Sequence, residues 1–270
     1  MPELPEVETT IKGLNILIGL KIIKVNIHKF KLRYTIPKSI YKIQKNSIIT
    51  DIRRVAKYIL IKFDNKYSIV FHLGMSGRLK ILNNLGKRQK HDHFIIYFEK
   101  SRVLIFNDPR RFGFIDCDLT EKIAYKKYFS ILGIDAMSKK LNSGYLFEKI
   151  KQSNVPIKQI LLNQTIIAGI GNIYASEILF ESKISPFRKG KNIKISDLSA
   201  LIAAIRKILK KAIKFGGSSI RDYVSSDGTL GNFQSEFAVY NREGKTISKF
   251  KIKKITQYGR STYYCPKLQK

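Results

Sequence analysis

Apolar residues recur at helical spacing near the start of the chain, at Val7, Ile11, Leu14 and Ile18. With Gly19 as a stop, this predicts a helix over residues 5–18. The period then shortens. The runs Lys21–His28, Tyr58–Phe63, Ser68–His72, His93–Phe98 and Val103–Phe106 are rich in β-branched and aromatic residues and predict strands. Two pairs of these runs are joined across short turns, at Asp64-Asn65-Lys66 and Glu99-Lys100-Ser101, which suits hairpins. The first half therefore predicts a β-sandwich with one N-terminal helix, ending near residue 118, with a connector over 119–133. Helical periodicity then returns. Residues 157–184 predict two helices separated by Ala168-Gly169-Ile170-Gly171-Asn172. Ser196 is placed to cap a helix with the stripe Leu198, Leu201, Ile202, Ile205, Ile208, Leu209 and Ala212, which Gly216-Gly217 ends; that stripe is expected to be core. The last 30 residues hold nine Lys or Arg against one Glu and read as a basic β-hairpin. The expected fold is α+β, with a helical domain over 134–238 and a terminal hairpin over 239–270.

Composition adds a partner to this picture. A chain of 270 residues that is 44% hydrophobic can bury substantial cores. A net charge of +31 asks for a polyanion, most simply nucleic acid. Lys, Ile and Asn are abundant throughout, as an AT-rich coding bias would produce, so only part of that charge is ascribed to DNA. No run approaches the ~18 unbroken apolar residues that a membrane span requires. The opening prolines and glutamates do not resemble a secretory signal, and two cysteines, Cys117 and Cys265, make no disulfide framework, so a reducing cytoplasm is expected.

The candidate chemistry begins at the second residue. Removal of Met1 would leave Pro2 as a terminal secondary amine beside Glu3 and Glu6. Such an amine attacks a sugar aldehyde carbon to give a charged iminium, an electron sink for elimination. An α-amino group titrates near ~8 and a lysine near ~10.4, so far more of the terminal amine is unprotonated at neutral pH. The plain alternative is a solvated tail that starts a helix, since Pro5 and the acidic residues suit a first helical turn.

The segment does not stand alone. Met1-Pro2-Glu3-Leu4-Pro5-Glu6-Val7-Glu8 resembles the opening of the formamidopyrimidine-DNA glycosylases, bacterial repair enzymes that excise oxidised purines and nick the strand. The resemblance continues through Arg53-Arg54-Val55-Ala56-Lys57-Tyr58, His72-Leu73-Gly74-Met75-Ser76-Gly77, Lys90-His91-Asp92-His93 and Asn107-Asp108-Pro109-Arg110-Arg111-Phe112-Gly113. It resumes at Ala168–Glu177, Gly216-Gly217-Ser218, Gln234-Ser235-Glu236 and Tyr258–Cys265. These blocks keep their order and spacing along essentially the whole chain. The resemblance implies a helix–two-turn–helix element over the paired helices. It implies Pro2 as nucleophile, Glu3 as proton shuttle and Lys57 as a second catalytic residue near the lesion phosphate. Glu6 joins this catalytic set, with orientation of the terminal region as its expected part. It further implies that Met75, Arg110 and Phe112 fill the space left by an extruded nucleotide, and apolar wedges with arginine suit kinked DNA. His72, His91, Lys158 and Asn172 match positions that contact phosphates or the lesion strand; Asn172 opens a helix at a glycine-rich turn, a ready anion site. The Lys-His-Asp-His run could suggest a metal, but a phosphate contact and a packed ring are simpler. The stretch 216–240, including Ser225–Asn232, matches a loop over the extruded base. At Tyr240-Asn241-Arg242 the family usually has Gly in the middle.

The tail breaks the family rule. Family members carry a zinc finger of two C-x2-C pairs, a tetrahedral structural set. Here the four positions are Ile247, Phe250, Cys265 and Leu268. No cofactor is therefore expected, and a zincless finger is predicted in which Ile247, Phe250 and Leu268 pack together. It would still present Arg260, which matches the family's phosphate-binding arginine, assigned a part in δ-elimination. The implied function is base-excision repair by a monomer acting on double-stranded DNA that contains 8-oxoguanine or formamidopyrimidines. Two alternatives stay open: an endonuclease VIII-like oxidised-pyrimidine glycosylase, and a non-catalytic DNA-binding descendant.

Overall fold

The structure, a computed structural model, describes residues 2–43, 46–84, 86–218 and 231–270. The chain divides into two compact units, one of Met1–Ser130 with Phe215–Asn232, the other of Ile131–Lys214 with Phe233–Lys270. The segment 215–232 thus groups with the first unit and not with the helical domain, where the sequence reading put it. The reason is a short stem, in which Ser218 bridges Asn232 and donates its N–H to Glu6.

The first unit starts with helix α1, Leu4–Leu14, and continues as a 3-10 turn to Leu17; Gly19 then takes a positive φ of 83°. Eight strands follow: β1 Ile22–Ile27, β2 Ile49–Val55, β3 Tyr58–Phe63, β4 Tyr67–His72, β5 Arg78–Leu82, β6 Asp92–Phe98, β7 Val103–Asn107 and β8 Phe114–Leu119. They form two antiparallel four-stranded sheets, ordered β1-β6-β7-β5 and β2-β3-β4-β8. The expected hairpins are β3–β4 and β6–β7. Residues of both sheets and of α1 share one core, including Val7, Leu14, Phe71, Phe94, Phe106 and Ile115. Two short helices, α2 Thr120–Ile123 and α3 Lys127–Ser130, close the unit; Ile123, Tyr128 and Phe129 pack on Leu60 and Val70.

The second unit holds β9 Ile134–Asp135, α4 Ser143–Ile150, α5 Ile157–Leu162, β10 Ile167–Ala168, α6 Asn172–Glu181 and α7 Ile195–Lys214. The predicted stripe of α7 is buried throughout, but Ser196 lies inside the helix and does not cap it. Asp197 does that work, its Oδ2 accepting the Lys194 N–H at 2.9 Å. The tail makes two hairpins instead of one: β11 Thr246–Ile247 with β12 Phe250–Lys251, and β13 Lys253–Gln257 with β14 Arg260–Tyr264.

Candidate functional site

Pro2 and Glu3 are buried at the start of α1. One oxygen of Glu6, Oε2, accepts the Glu3 N–H at 2.9 Å, as a residue in the first turn reaches back to its cap. The other, Oε1, accepts both donors of Ser218, the N–H at 2.7 Å and the hydroxyl at 3.1 Å. Both oxygens are thus engaged, and Glu6 fixes the position of Glu3. Gly217 is required beside it, because its φ is 77° and a Cβ there would sit 2.9 Å from Glu6 Oε1.

Further along α1, Glu8 ties the helix to the sheet. Its Oε2 accepts Arg54 Nε at 2.6 Å, and Arg54 also donates to the Ala56 carbonyl at 3.2 Å. Ala56 and Lys57 are the two-residue turn between β2 and β3, since Val55 pairs with Tyr58. Ala56 adopts φ 53°, a conformation that costs a non-glycine residue energy and that the surrounding contacts must hold. Lys57 is buried in this constrained turn. Glu8 and Arg54 escaped the sequence reading; an acid and a base separated by 46 residues give no local signal.

His72 lies one strand over, opposite Tyr58. Its ring stacks on Phe114 at 5.5 Å, and its Nδ1 accepts the Gly74 N–H at 3.2 Å. Burial first, then the charges of Lys57 and Arg33, pull its pKa down to about 4. His72 is therefore neutral at physiological pH with its proton on Nε2, a donor suited to a phosphate oxygen.

Met75, Arg110 and Phe112 are all exposed, on two loops clamped together beneath them. The clamp is Asp108, which is fully buried. Its Oδ1 accepts the Ser76 hydroxyl at 2.6 Å and its Oδ2 accepts the Gly113 N–H at 2.8 Å. Ser76 Oγ in turn accepts the Arg110 N–H at 3.1 Å. Gly74, at φ 62°, lies against the backbone of Phe112, where a Cβ would approach to 2.4 Å. The Arg110 guanidinium rests 4.8 Å from the centre of the Phe112 ring. His91 is half-buried and its carbonyl accepts the Asp108 N–H; His93 is buried with Nε2 on the Asp108 carbonyl, the packed ring expected. Asp108 and Ser76 lay inside recognised motifs, but only their contacts reveal them as the support.

In the second unit, Lys158 departs from expectation. It is fully buried, not on a phosphate-facing surface, and Nζ donates to the Ser261 carbonyl at 2.9 Å and Thr262 Oγ1 at 2.7 Å. Asn172 opens α6 as expected, and its Nδ2 donates to the same Ser261 carbonyl at 3.0 Å. Both side chains hold β14, whose first residue, Arg260, is exposed after the Tyr258-Gly259 turn. Gln164 braces the turn before α6, accepting the Gly169 N–H and donating to the Ile170 carbonyl. Glu177 accepts three N–H groups, from Ala238, Val239 and Tyr240, at 2.7–2.9 Å; burial nonetheless keeps its pKa above the ordinary carboxylate value. Asn241, at the family's usual glycine position, takes φ 58°, a conformation asparagine tolerates.

The expected packing of Ile247, Phe250 and Leu268 does not occur. Ile247 and Phe250 face each other across a tight turn, but Phe250 is 39% exposed. Ile247 instead packs on Val239, Ile252 and Tyr263 with Phe180 and Tyr240. Those aromatic residues offer more apolar surface than the trio, which explains the preference. The end of the chain is fastened separately: Gln269 accepts the Cys265 N–H at 2.8 Å and donates to the Ile184 carbonyl at 2.9 Å. The loop assigned to the extruded base, through Ser225-Ser226-Asp227-Gly228-Thr229-Leu230, lies outside the described residues.

Comparison with known proteins matches residues 1–115 to the formamidopyrimidine-DNA glycosylase N-terminal domain and residues 132–224 to the H2TH domain of the same family. A formamidopyrimidine-DNA glycosylase of Zymomonas mobilis is 43% identical over 272 residues, covering all of both chains. Two solved structures from Lactococcus lactis each cover all of this chain and are covered by it, at 33% identity. They are an FPG mutant in complex with Fapy-dG-containing DNA, TM-score 0.92, and an Fpg in complex with abasic-site DNA, TM-score 0.91. The chain belongs to the formamidopyrimidine-DNA glycosylase family.

Proposed function

We propose that this protein excises oxidised purines from duplex DNA and then cleaves the strand at the resulting abasic site. With Met1 removed, the Pro2 nitrogen attacks C1′ of the damaged nucleotide, and the glycosidic bond breaks as the base leaves with a proton. Glu3 is the group placed to move protons at the sugar. As O4′ takes a proton, the C1′–O4′ bond opens and the Pro2 lone pair forms the iminium. This acidifies the C2′ proton, whose loss expels the 3′ phosphate; a second elimination expels the 5′ phosphate, and water releases the sugar from Pro2. Lys57 and neutral His72 hold the phosphate beside the lesion. Met75, Arg110 and Phe112 occupy the vacated stack, offsetting an extrusion cost of a few kcal/mol. Arg260 supplies a further phosphate contact. The observation that carries this reading is Glu6, whose two oxygens hold the buried Pro2–Glu3 start of α1 in one place. Activity as a monomer in the cytoplasm completes the proposal; among the described residues no helix is long and apolar enough to cross a membrane.

Borohydride trapping on an abasic duplex tests the chemistry. The protein with Met1 removed should form a covalent adduct, while a preparation retaining Met1, verified by mass spectrometry, should bind DNA without trapping. Normal turnover with Met1 retained would refute the assignment of Pro2, and absence of any adduct would favour a non-catalytic DNA-binding descendant. A panel of lesion duplexes separates oxidised purines from oxidised pyrimidines.

The tail is proposed to work without zinc. Of the four positions only Cys265 carries a ligating atom, and Ile247, Phe250 and Leu268 cannot complete a tetrahedral set, so these residues do not fit the metal. In its place stand the bonds from Lys158 and Asn172 to Ser261, those of Glu177 to Ala238–Tyr240, and the Gln269 clamp.

A further inference from the structure

The segment after β1 places cations and exposed aromatic rings side by side, in His28-Lys29-Phe30-Lys31-Leu32-Arg33-Tyr34. It is a constrained loop. Lys31 bridges Thr35, the Leu32 N–H reaches the Tyr34 carbonyl at 3.2 Å, and the Ile36 N–H reaches the Phe30 carbonyl at 2.9 Å. Leu32 and Ile36 are buried and anchor it, leaving Lys29, Phe30, Lys31, Arg33 and Tyr34 exposed. The loop is also fastened to the lesion-side loops. The Arg33 N–H donates to the Gly113 carbonyl at 3.2 Å, and Tyr34 packs edge-on against Phe114 at 5.4 Å, the ring that stacks on His72. The Arg33 guanidinium lies 5.5 Å from the centre of the Tyr34 ring, which limits its freedom. Arg33 and Lys57 are both near enough to oppose protonation of His72. Among the described residues, no carboxylate forms an ion pair with Arg33.

We propose that the loop Lys29–Thr35 is a further contact to the DNA backbone, with Arg33 binding a phosphate on the face shared by Lys57 and His72. The inference rests on the glycosylase reading above. A planar guanidinium, braced by an aromatic ring and lacking a carboxylate partner, matches a phosphate through paired N–H···O bonds. An unneutralised cation near a second one, Lys57, is what a polyanionic ligand would relieve. Exposed Phe30 and Tyr34 flank it as apolar surfaces for deoxyribose.

The test is fluorescence anisotropy of the full chain on a duplex carrying a tetrahydrofuran abasic analogue, titrated between 50 and 200 mM KCl. Each phosphate neutralised contributes about −0.9 to the slope of log K against log salt. Arg33→Gln should make the slope shallower by about 0.9, on lesion and undamaged duplexes alike, with an unchanged Tm. Arg33→Lys should keep the slope, since the charge persists. Tyr34→Ala should weaken binding without altering the slope. A wild-type slope in Arg33→Gln would overturn the proposal and leave the loop a solvated basic surface. Failure of the wild-type protein to prefer the lesion duplex would instead count against the glycosylase reading; the Arg33 slope remains readable on undamaged DNA.

Discussion

Asp108→Ala isolates the support beneath Met75, Arg110 and Phe112. The wild-type carboxylate is fully buried and accepts from Ser76 Oγ at 2.6 Å and the Gly113 N–H at 2.8 Å. Truncation leaves both donors without an acceptor, at about 1–3 kcal/mol each, or ~2–6 kcal/mol together. Pro109 to Phe112 are exposed, so water can reach the vacated space, and a cost of about 2–3 kcal/mol is expected. For a unit of this size that lowers Tm by about 4–12 °C. The functional effect should be selective. Excision of a paired 8-oxoguanine requires extruding the nucleotide, whereas an existing abasic site has no base to unstack or unpair. Loosening the platform by ~1 Å should slow excision by about 100-fold, while cleavage at a preformed abasic site falls only a few-fold. Single-turnover gel assays on both substrates, with differential scanning fluorimetry alongside, measure this. Equal losses on the two substrates, or wild-type excision at an unchanged Tm, would refute the reasoning.

His72 gives a pH signature. Its pKa falls from 6.5 unfolded to about 4 folded, so the unfolded chain binds the extra proton between those values and stability rises with pH across that window. The group should cost up to ~3 kcal/mol below pH 4 and nothing above pH 7, and denaturant midpoints of His72→Gln should lack this slope. Lys158→Met should lower Tm through loss of its bonds to Ser261 and Thr262, each worth about 1.5–3 kcal/mol, with little change in the salt dependence of DNA binding; a shallower salt slope would restore it to the phosphate contacts. Plasma emission spectrometry should find no stoichiometric zinc, chelators should leave activity intact, and Cys265→Ser should be mild. One zinc per chain would defeat the zincless reading.

The hairpins around residues 64–66 and 99–101 and the α7 stripe were legible because each repeats a simple period. β2 was not: in Ile49-Thr50-Asp51-Ile52-Arg53-Arg54-Val55 the buried residues are three apart, and a register shift lies between Ile49 and Asp51. β8 was hidden because adjacent Phe114 and Ile115 are both buried, which breaks alternation. At the site, motifs pointed to the residues proposed to meet DNA, but not to those that hold them. Asp108, Arg54, Glu177 and Gln269 act through partners that only folding brings near. Lys158 shows the complementary error, since a lysine in a DNA-binding family is read as a surface cation until its burial is seen.

The bond between Glu6 and Ser218 spans 212 residues of sequence. The first unit is consequently unfinished during most of the protein's synthesis. At translation rates of about 5–20 residues per second, the partner of Glu6 is made roughly 10–40 s after it. A nascent chain stalled after the last sandwich residue, or a fragment ending at Ser130, would have its strands complete but Glu6 Oε1 deprived of both Ser218 donors. The chain order thus delays the final setting of the Pro2–Glu3 end until the second unit's long helix, α7, has been translated.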